Sequence, residues 1–330
     1  VTPPGTAPGL NLYAADLVRC PDGNFRVLKD LTQAPSGMGY ALENRTVMSR
    51  LIPSLFRDSH PHRLAPFFRR LRESLVALAP AAVNEEPRVV IMTPGPHNET
   101  YFDHLYLANY LDYTLIEGAN LTVRDDRVWL KSVSGLEPVD VILRRVDDYF
   151  CDPLELRPDS LLGVPGLVEA VRRGRVAIAN PLGAGVLENP ALMAFLPRLA
   201  KHLMGQNLRL PSVATWWCGQ PHELDYVLNN LQTLVLRSIS RTAGNRPVFG
   251  ERLDDKELAA WRSRIQAQPH RYIGQEKLDL PSAPTLHDGR LEPYQSILRT
   301  FLAGEDNNYT VMPGGLTRVG ATPESHIITN

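Results

Sequence analysis

The chain opens on an alternation of apolar and polar positions, LNLYAADLVR, then a turn signal, CPDGN, then a second alternating run, FRVLKDL. Successive side chains on a strand point to opposite faces, so this pattern predicts a β-hairpin. TQAPSGMGY, rich in turn formers, follows as a loop. From residue 41 to about 79, in ENRTVMSRLIPSLF and LAPFFRRLRESLVALA, apolar residues recur at three- and four-residue spacing. That is the helical period, and DSHPHR divides the region into two helices.

After PAAVNEEP the period changes again. RVVIMT predicts a buried strand that runs through PGPHNETYFDH into a helix at HLYLANYL, the opening of a βα unit. TLIEG, LTVRDDRVWLKSV and VDVILRRV predict further strands, VPGLVEAVRRG a helix and VAIANPLG another strand. The rest predicts a helix over NPALMAFLPRLAKHLMG, a strand at TLVLRSIS, a helix around Lys256 to Gln268 and a strand at RYIGQEKLDL, with strand candidates at YQSILRTFLAG and NYTVMPGGL. The expected fold class is therefore mixed: α/β from residue 86 to about 190, and α+β with mostly antiparallel strands in the last third.

Composition narrows the function. The 330 residues are 43% hydrophobic and 22% charged, which fits a globular chain of two or three subdomains. Basic and acidic residues number 35 and 36, a net charge of −1, so no electrostatic footprint marks nucleic acid or an anionic membrane as a partner. No run approaches the roughly 18 apolar residues of a membrane span, and VTPPGTAPGLNLY has neither a basic nor an apolar leader region. The expected location is the cytoplasm. Cys20, Cys151 and Cys218 are too scattered for a disulfide framework or a zinc site, and no GxSxG elbow points to a serine hydrolase.

Four stretches carry candidate chemistry. A three-residue loop in the PDGN turn would set Asp16 directly across from Asp30, a repulsion that a divalent cation would convert into coordination. A two-residue loop would shift the register and leave both as ordinary exposed acids. TPGPHNETYFDH gathers His97, Asn98, Glu99 and Tyr101 at the carboxyl end of a strand, where α/β sheets place ligands. ILRRVDDYF ends an apolar strand in Arg144, Arg145, Asp147 and Asp148, suited either to carboxylate recognition or to a self-satisfied ion-pair cluster. LVLRSISRTAGNRPVFG is a strand ending in a cation and followed by a small-residue loop, a plausible cover over phosphates without a Walker pattern.

The order of these pieces resembles the circularly permuted ATP-grasp proteins, bacterial ligase-like proteins related to glutathionylspermidine synthetase and glutathione synthetase. The resemblance covers essentially the whole chain, most specifically at DLTQAPSGMGYALENR, TPGPHNETYFDH, VDVILRRVDDYFCDPLELRPDSLLG, GVLENPALMAFLP and VMPGGLTRV. It implies a circularly permuted ATP-grasp fold with a small α/β substrate domain. Residues 1–85 would be the permuted N-terminal part with the metal-binding hairpin, 86–190 the substrate domain and 191–330 the nucleotide-binding remainder.

The resemblance also implies roles. Asp16 and Asp30 become metal ligands, with Thr32 or Gln33 where relatives carry Asn. Arg237 stands where a phosphate-binding lysine is usual, followed by a loop containing Ser240, Gly244 and Asn245. Gln275, Glu276 and Leu278 fall on the strand that holds adenine and ribose. Arg299 and Arg318 match the phosphate- or substrate-facing arginines on the strands that follow. Arg144 and Arg145, with Asp147 and Asp148, Glu43 and Arg45, and Asn98 and Tyr101 fall to the substrates, while His97 or Glu99 orients or deprotonates an amine. The implied activity is carboxylate activation by ATP and Mg²⁺ through an acyl phosphate, joining a small-molecule or peptide carboxylate to an amine or thiol. The alternatives are an ATP-binding regulatory or scaffold module and an ATP-grasp phosphotransferase. A helical partner protein or domain is the further partner implied.

Overall fold

In a computed structural model, residues 9–81, 83, 86–240, 246–305 and 308–322 are described. The hairpin is present as β1 (Leu12–Arg19) and β2 (Phe25–Leu31). The region read as two helices forms three, α1 (Met38–Leu51), α2 (Pro53–Asp58) and α3 (Ala65–Ala77). The additional break falls at Pro53, which lacks an amide hydrogen to continue α1 and instead occupies the first turn of α2. Then come β3 (Val89–Thr93), α4 (Tyr101–Leu111), β4 (Thr114–Glu117), β5 (Leu121–Arg124), β6 (Arg127–Ser132), β7 (Gly135–Val139), β8 (Val141–Arg144), α5 (Leu167–Arg172) and β9 (Ala177–Ala179).

The helix expected over NPALMAFLPRLAKHLMG divides into a 3₁₀ turn, Pro190–Ala194, and α6 (Leu196–Met204), with Pro197 in the first turn of α6. The remaining elements are β10 (Thr215–Trp217), α7 (Pro221–Asn229), β11 (Leu234–Ser238), β12 (Val248–Phe249), α8 (Asp255–Ala267), β13 (Tyr272–Glu276), β14 (Ser282–His287), β15 (Arg290–Glu305), β16 (Asn308–Val311) and β17 (Leu316–Val319). The pattern reading passed over β7, β10, α7, β14 and β17. Each is short or follows a stretch dense in turn formers.

The chain forms two compact units, one of Val1–Ala14, Leu31–Val186 and Arg299–Leu316, the other of Ala15–Asp30, Leu187–Leu298 and Thr317–Asn330. The strands β14-β15-β1-β2 lie in that order in a six-stranded sheet, with β16 and β17 also paired to β15. The three sequence stretches 1–85, 86–190 and 191–330 are thus distributed over two units.

In the first unit the sheet β4-β3-β8-β9 is parallel throughout. Its central strand β3 is buried at every position, as a continuous apolar run with both faces covered requires. One face belongs to a core with Phe67, Phe68, Leu71 and Leu107, the other to a core with Val128, Leu167, Val168 and Val171. In the second unit β10-β13-β11-β12 is antiparallel, over a core of Val227, Leu231, Leu236 and Ile265.

Candidate functional site

The hairpin turn is a three-residue loop, but it spans Pro21–Gly23. Cys20 donates its amide to Asn24 O at 2.8 Å and Gly23 donates to Cys20 O at 2.9 Å. Gly23 takes a φ of 83°, the left-handed conformation that a type I turn with its bulge demands. With Cys20 opposite Asn24, the ladder sets Asp16 opposite Leu28. The direct Asp16–Asp30 opposition expected from sequence is therefore corrected to a diagonal relationship on one face. Asp16 is buried, with Oδ2 lying 3.7 Å from Nη1 of Arg318.

Asp30 lines a cavity of about 120 Å³ in the second unit. The polar residues along its lining are Lys29, Asp30, Glu188, Asn189, Arg237, Ser238 and Ser240. The fold thus brings three sequence-chosen residues, Asp30, Arg237 and Ser240, to one place. Lys29 and Glu188 were not singled out. Glu188 sits within GVLENPALMAFLP, where the neighbouring Asn189 caps the 3₁₀ turn by accepting from the Ala191 amide.

Sheet register fixes the wall behind this cavity. Gln275 on β13 lies directly opposite Thr215 on β10 and Val235 on β11, so Arg237 is its diagonal neighbour on the same face. Gln275 accepts from Arg237 Nη1 at 3.0 Å and donates to Thr215 Oγ1 at 3.1 Å. Its Nε2 also lies 3.6 Å from the Met193 sulfur. Burial lowers the pKa of the Arg237 guanidinium from its ordinary value. Glu276 is half-buried and pairs with Arg26 at 3.0 Å, and Leu278 is half-buried just beyond β13. Gly244 and Asn245 lie outside the described residues.

A buried polar network in the first unit holds the loop after the hairpin. Asn180 Nδ2 donates to the Thr32 carbonyl, Arg145 Nη2 to Pro35 O at 2.6 Å, and Arg299 Nη1 to Ser36 O at 3.0 Å. Gln33 Oε1 accepts from the Asp148 amide at 2.8 Å. The Thr32 hydroxyl donates to Ala184 O at 2.7 Å. Asp103 on α4 then caps α1 from outside, accepting from Gly37 N at 2.9 Å and Gly39 N at 2.6 Å. Gly39 is required here, because a Cβ would stand 2.8 Å from Asp103 O and Oδ1.

The adjacent arginines differ. Arg144 is wholly buried and donates to Asn180 O, Val146 O and Pro181 O at 2.7, 2.9 and 3.2 Å, and it also pairs with Asp148. Arg145 is likewise buried and lies 3.6 Å from Asp103, but its Nε and Nη1 have no hydrogen-bond partner among the described residues. Burial lowers its pKa, with Asp103 opposing the shift. Asp147 is exposed.

His97 and Glu99 are exposed on the 94–100 loop, where Asn98 is half-buried, and Tyr101 begins α4 half-buried. That loop is tied to His104, which sequence reasoning missed because its only signal was a histidine on an otherwise apolar helix. The Thr100 hydroxyl donates to Asn98 Oδ1 at 2.7 Å and therefore accepts from His104 Nε2 at 3.0 Å. His104 Nδ1 then accepts from the Thr93 hydroxyl at 2.9 Å. Burial, with help from Arg145, lowers the pKa of His104 to about 2, so the ring is neutral and bears its proton on Nε2. On α1, Glu43 is half-buried and Arg45 donates to the carbonyls of His62 and Pro313.

The described residues contain no group of three His, Cys, Asp or Glu side chains disposed to hold a metal. Mg²⁺ is usually held by one or two carboxylates with the remaining positions filled by phosphate oxygens and water. The mixed acidic and basic cavity lining fits that donor set. The Cys151 and Cys218 thiols are buried and pushed up to about 12, the reverse of an activated nucleophile. No helix among the described residues is long and apolar enough to cross a membrane.

Comparison with known proteins matches residues 1–320 to the family model described as circularly permuted ATP-grasp type 2. An uncharacterised protein of Mycobacterium tuberculosis strain H37Rv is 42% identical over 307 residues, covering 93% of this chain and 34% of that protein. An uncharacterised Synechocystis protein is 37% identical over 320 residues, covering 97% of this chain and 66% of that protein. The chain thus spans from about a third to about two thirds of the length of these relatives. Among solved structures, a glutathione synthetase-like effector from Globodera pallida in its apo form superposes with a TM-score of 0.60 at 14% identity, covering 93% of this chain and 72% of that one. At that identity the likeness concerns the fold alone. With its several sheets of mixed α/β architecture and a family match running almost from end to end, the chain belongs to the circularly permuted ATP-grasp type 2 family.

Proposed function

We infer that this chain carries the nucleotide-binding and phosphoryl-transfer part of an ATP-dependent ligase. The observation that carries the reading is the convergence of Asp30, Arg237 and Ser240 on one cavity of the second unit. An acid from the hairpin, a cation from β11 and a hydroxyl from the start of the following loop are the groups that magnesium-bound phosphates need. Mg²⁺, when bound, supplies charge neutralisation between phosphate oxygens.

This chain's own residues would do the rest. Arg237, held by Gln275, would present its guanidinium to phosphate, and the pair of buried Asp16 with half-buried Arg318 would provide a second charged position in the same unit. In the first unit, the two nitrogens of Arg145 that lack a partner among the described residues make it the arginine suited to a carboxylate, since Arg144 is engaged by three backbone carbonyls and Asp148. His97 and Glu99, exposed at the end of β3, would orient the acceptor and take its proton. In the reaction, a carboxylate oxygen attacks the γ-phosphorus and ADP leaves. An amine or thiol then attacks the acyl carbon, phosphate leaves and the nucleophile's proton passes to a base.

The test is ADP and phosphate release on adding candidate carboxylates, with hydroxylamine as the trap. Carboxylate-dependent ADP release with hydroxamate formation supports the ligase. ADP release without hydroxamate supports a phosphotransferase. A second reading, an ATP-binding regulatory module, is favoured by one observation: Arg144 and Arg145 are both closed off in the interior. Nucleotide binding with no carboxylate-dependent turnover would select it. A further protein or domain, helical in our reading, would supply or receive a substrate.

A further inference from the structure

Charge is segregated around α6. Between Glu188 and Glu223 the chain has no acidic residue, while it carries Arg198, Lys201 and Arg209. None of these three cations forms an ion pair among the described residues. Over the whole chain basic and acidic residues balance, so the net charge of −1 carries no sign of this stretch.

The apolar side chains of α6 are segregated as well. At 3.6 residues per turn Leu196, Leu199, Ala200, Leu203 and Met204 share one side, and Arg198, Lys201 and His202 the other. Yet no residue of the helix is buried: Leu203 and Met204 are 76% and 69% exposed, and Leu199, Arg209 and Leu210 are exposed with them. An amphipathic helix gains stability by covering its apolar side, and α6 is too short to persist on propensity alone. The occupant of that side must be anionic and must accept a small contact. A specific protein interface covers about 800 Å² of each partner, whereas α6 is about 14 Å long and about 10 Å across. A bilayer surface sets no such minimum, and takes the apolar side of one short helix while basic side chains reach the headgroups.

We propose that α6 is an interfacial helix by which the protein docks on an anionic membrane surface. Leu199, Leu203 and Met204 enter the boundary between headgroups and acyl chains, and Arg198, Lys201 and Arg209 lie among the lipid phosphates. The contact is peripheral and independent of nucleotide, so its failure leaves the function proposed above standing.

The experiment is co-sedimentation of the purified protein with vesicles of phosphatidylcholine alone and of phosphatidylcholine mixed with an equal part of phosphatidylglycerol, with thermal melts as the folding control. Wild type should favour the anionic vesicles by about tenfold or more and lose that preference in high salt. Leu203→Ser with Met204→Ser should weaken binding to them by about tenfold or more. Arg198→Gln with Lys201→Gln should bring binding down towards the level on phosphatidylcholine, and it carries the test if the first variant does not fold. Leu286→Ser, the same change at a comparably exposed leucine of β14, should bind as wild type. Equal binding to both vesicles, or an equal loss from the Leu286 change and the Leu203 and Met204 changes, overturns the inference. No binding to either vesicle overturns it too and leaves the face to an acidic protein partner. A dimer in gel filtration that Leu203→Ser with Met204→Ser dissociates overturns it in favour of a second copy of this chain.

Discussion

Gln275 holds Arg237: Oε1 of the buried amide accepts from Nη1 of the guanidinium at 3.0 Å while Nε2 donates to Thr215 at 3.1 Å. One central-strand side chain thereby orients a cation from one neighbouring strand through a hydroxyl on the other. The amide cannot be reversed without breaking both bonds, because a guanidinium only donates and the Thr215 hydroxyl already gives its proton to Val213 O.

Gln275→Leu is expected to leave a half-buried cation without that acceptor, costing about 1–3 kcal/mol of stability. Urea unfolding measures it, and ADP affinity should fall in the same variant. A change in urea midpoint within error of zero would show that Gln275 does not organise this wall.

Asp103 predicts a paired result. Asp103→Ala orphans the amides of Gly37 and Gly39 and leaves Arg145 without its nearby carboxylate, a loss of about 3–5 kcal/mol on the scale of broken buried pairs. Gly39→Ala keeps every donor and acceptor but drives a methyl against Asp103, with an expected cost of about 1–3 kcal/mol. If unfolding finds Gly39→Ala neutral, α1 is not held by this close approach.

His104 predicts a dependence on pH. Its folded pKa, lowered to about 2 by burial first and Arg145 second, lies below the unfolded value near 6.5. The unfolded chain therefore takes up a proton that the native state refuses. The stabilisation is complete above pH 6.5 and is lost as pH falls toward 2. Between pH 7 and pH 4 wild type should lose up to about 3 kcal/mol more than His104→Gln. Parallel stability profiles for the two proteins would contradict the assignment. Nitrogen NMR of the ring should report a proton on Nε2 and none on Nδ1.

Arg144 and Arg145 are expected to separate by phenotype. Arg144→Met removes four partners and should destabilise by about 3–5 kcal/mol. Arg145→Lys retains the charge near Asp103 but lacks the fork, so its larger effect should fall on carboxylate-dependent ADP release. Melting curves and turnover assays on the same preparations distinguish them. Equal effects of both variants on both measurements would remove the distinction.

Much of the architecture was legible in the sequence. Period two gave the hairpin, an unbroken apolar run gave β3, and turn formers marked most boundaries, since these signals arise within one element. The errors were local too: Pro53 and Pro197 each divide what the apolar spacing alone continues as helix. The family was legible because DLTQAPSGMGYALENR and VDVILRRVDDYF are long enough to be specific.

The sequence by itself determined most of the elements, where a charged group ends a strand, and which family the chain belongs to. It did not distinguish Arg144 from Arg145, place Glu188 and Lys29 beside Arg237, or reveal His104 and Asp103 as anchors. Those are relations between distant positions: 66 residues separate Gly37 from Asp103 and 38 separate Arg237 from Gln275. A side chain's partner is set by strand register and by which backbone groups lie unsatisfied where it is buried. Both come into existence only when the chain has folded.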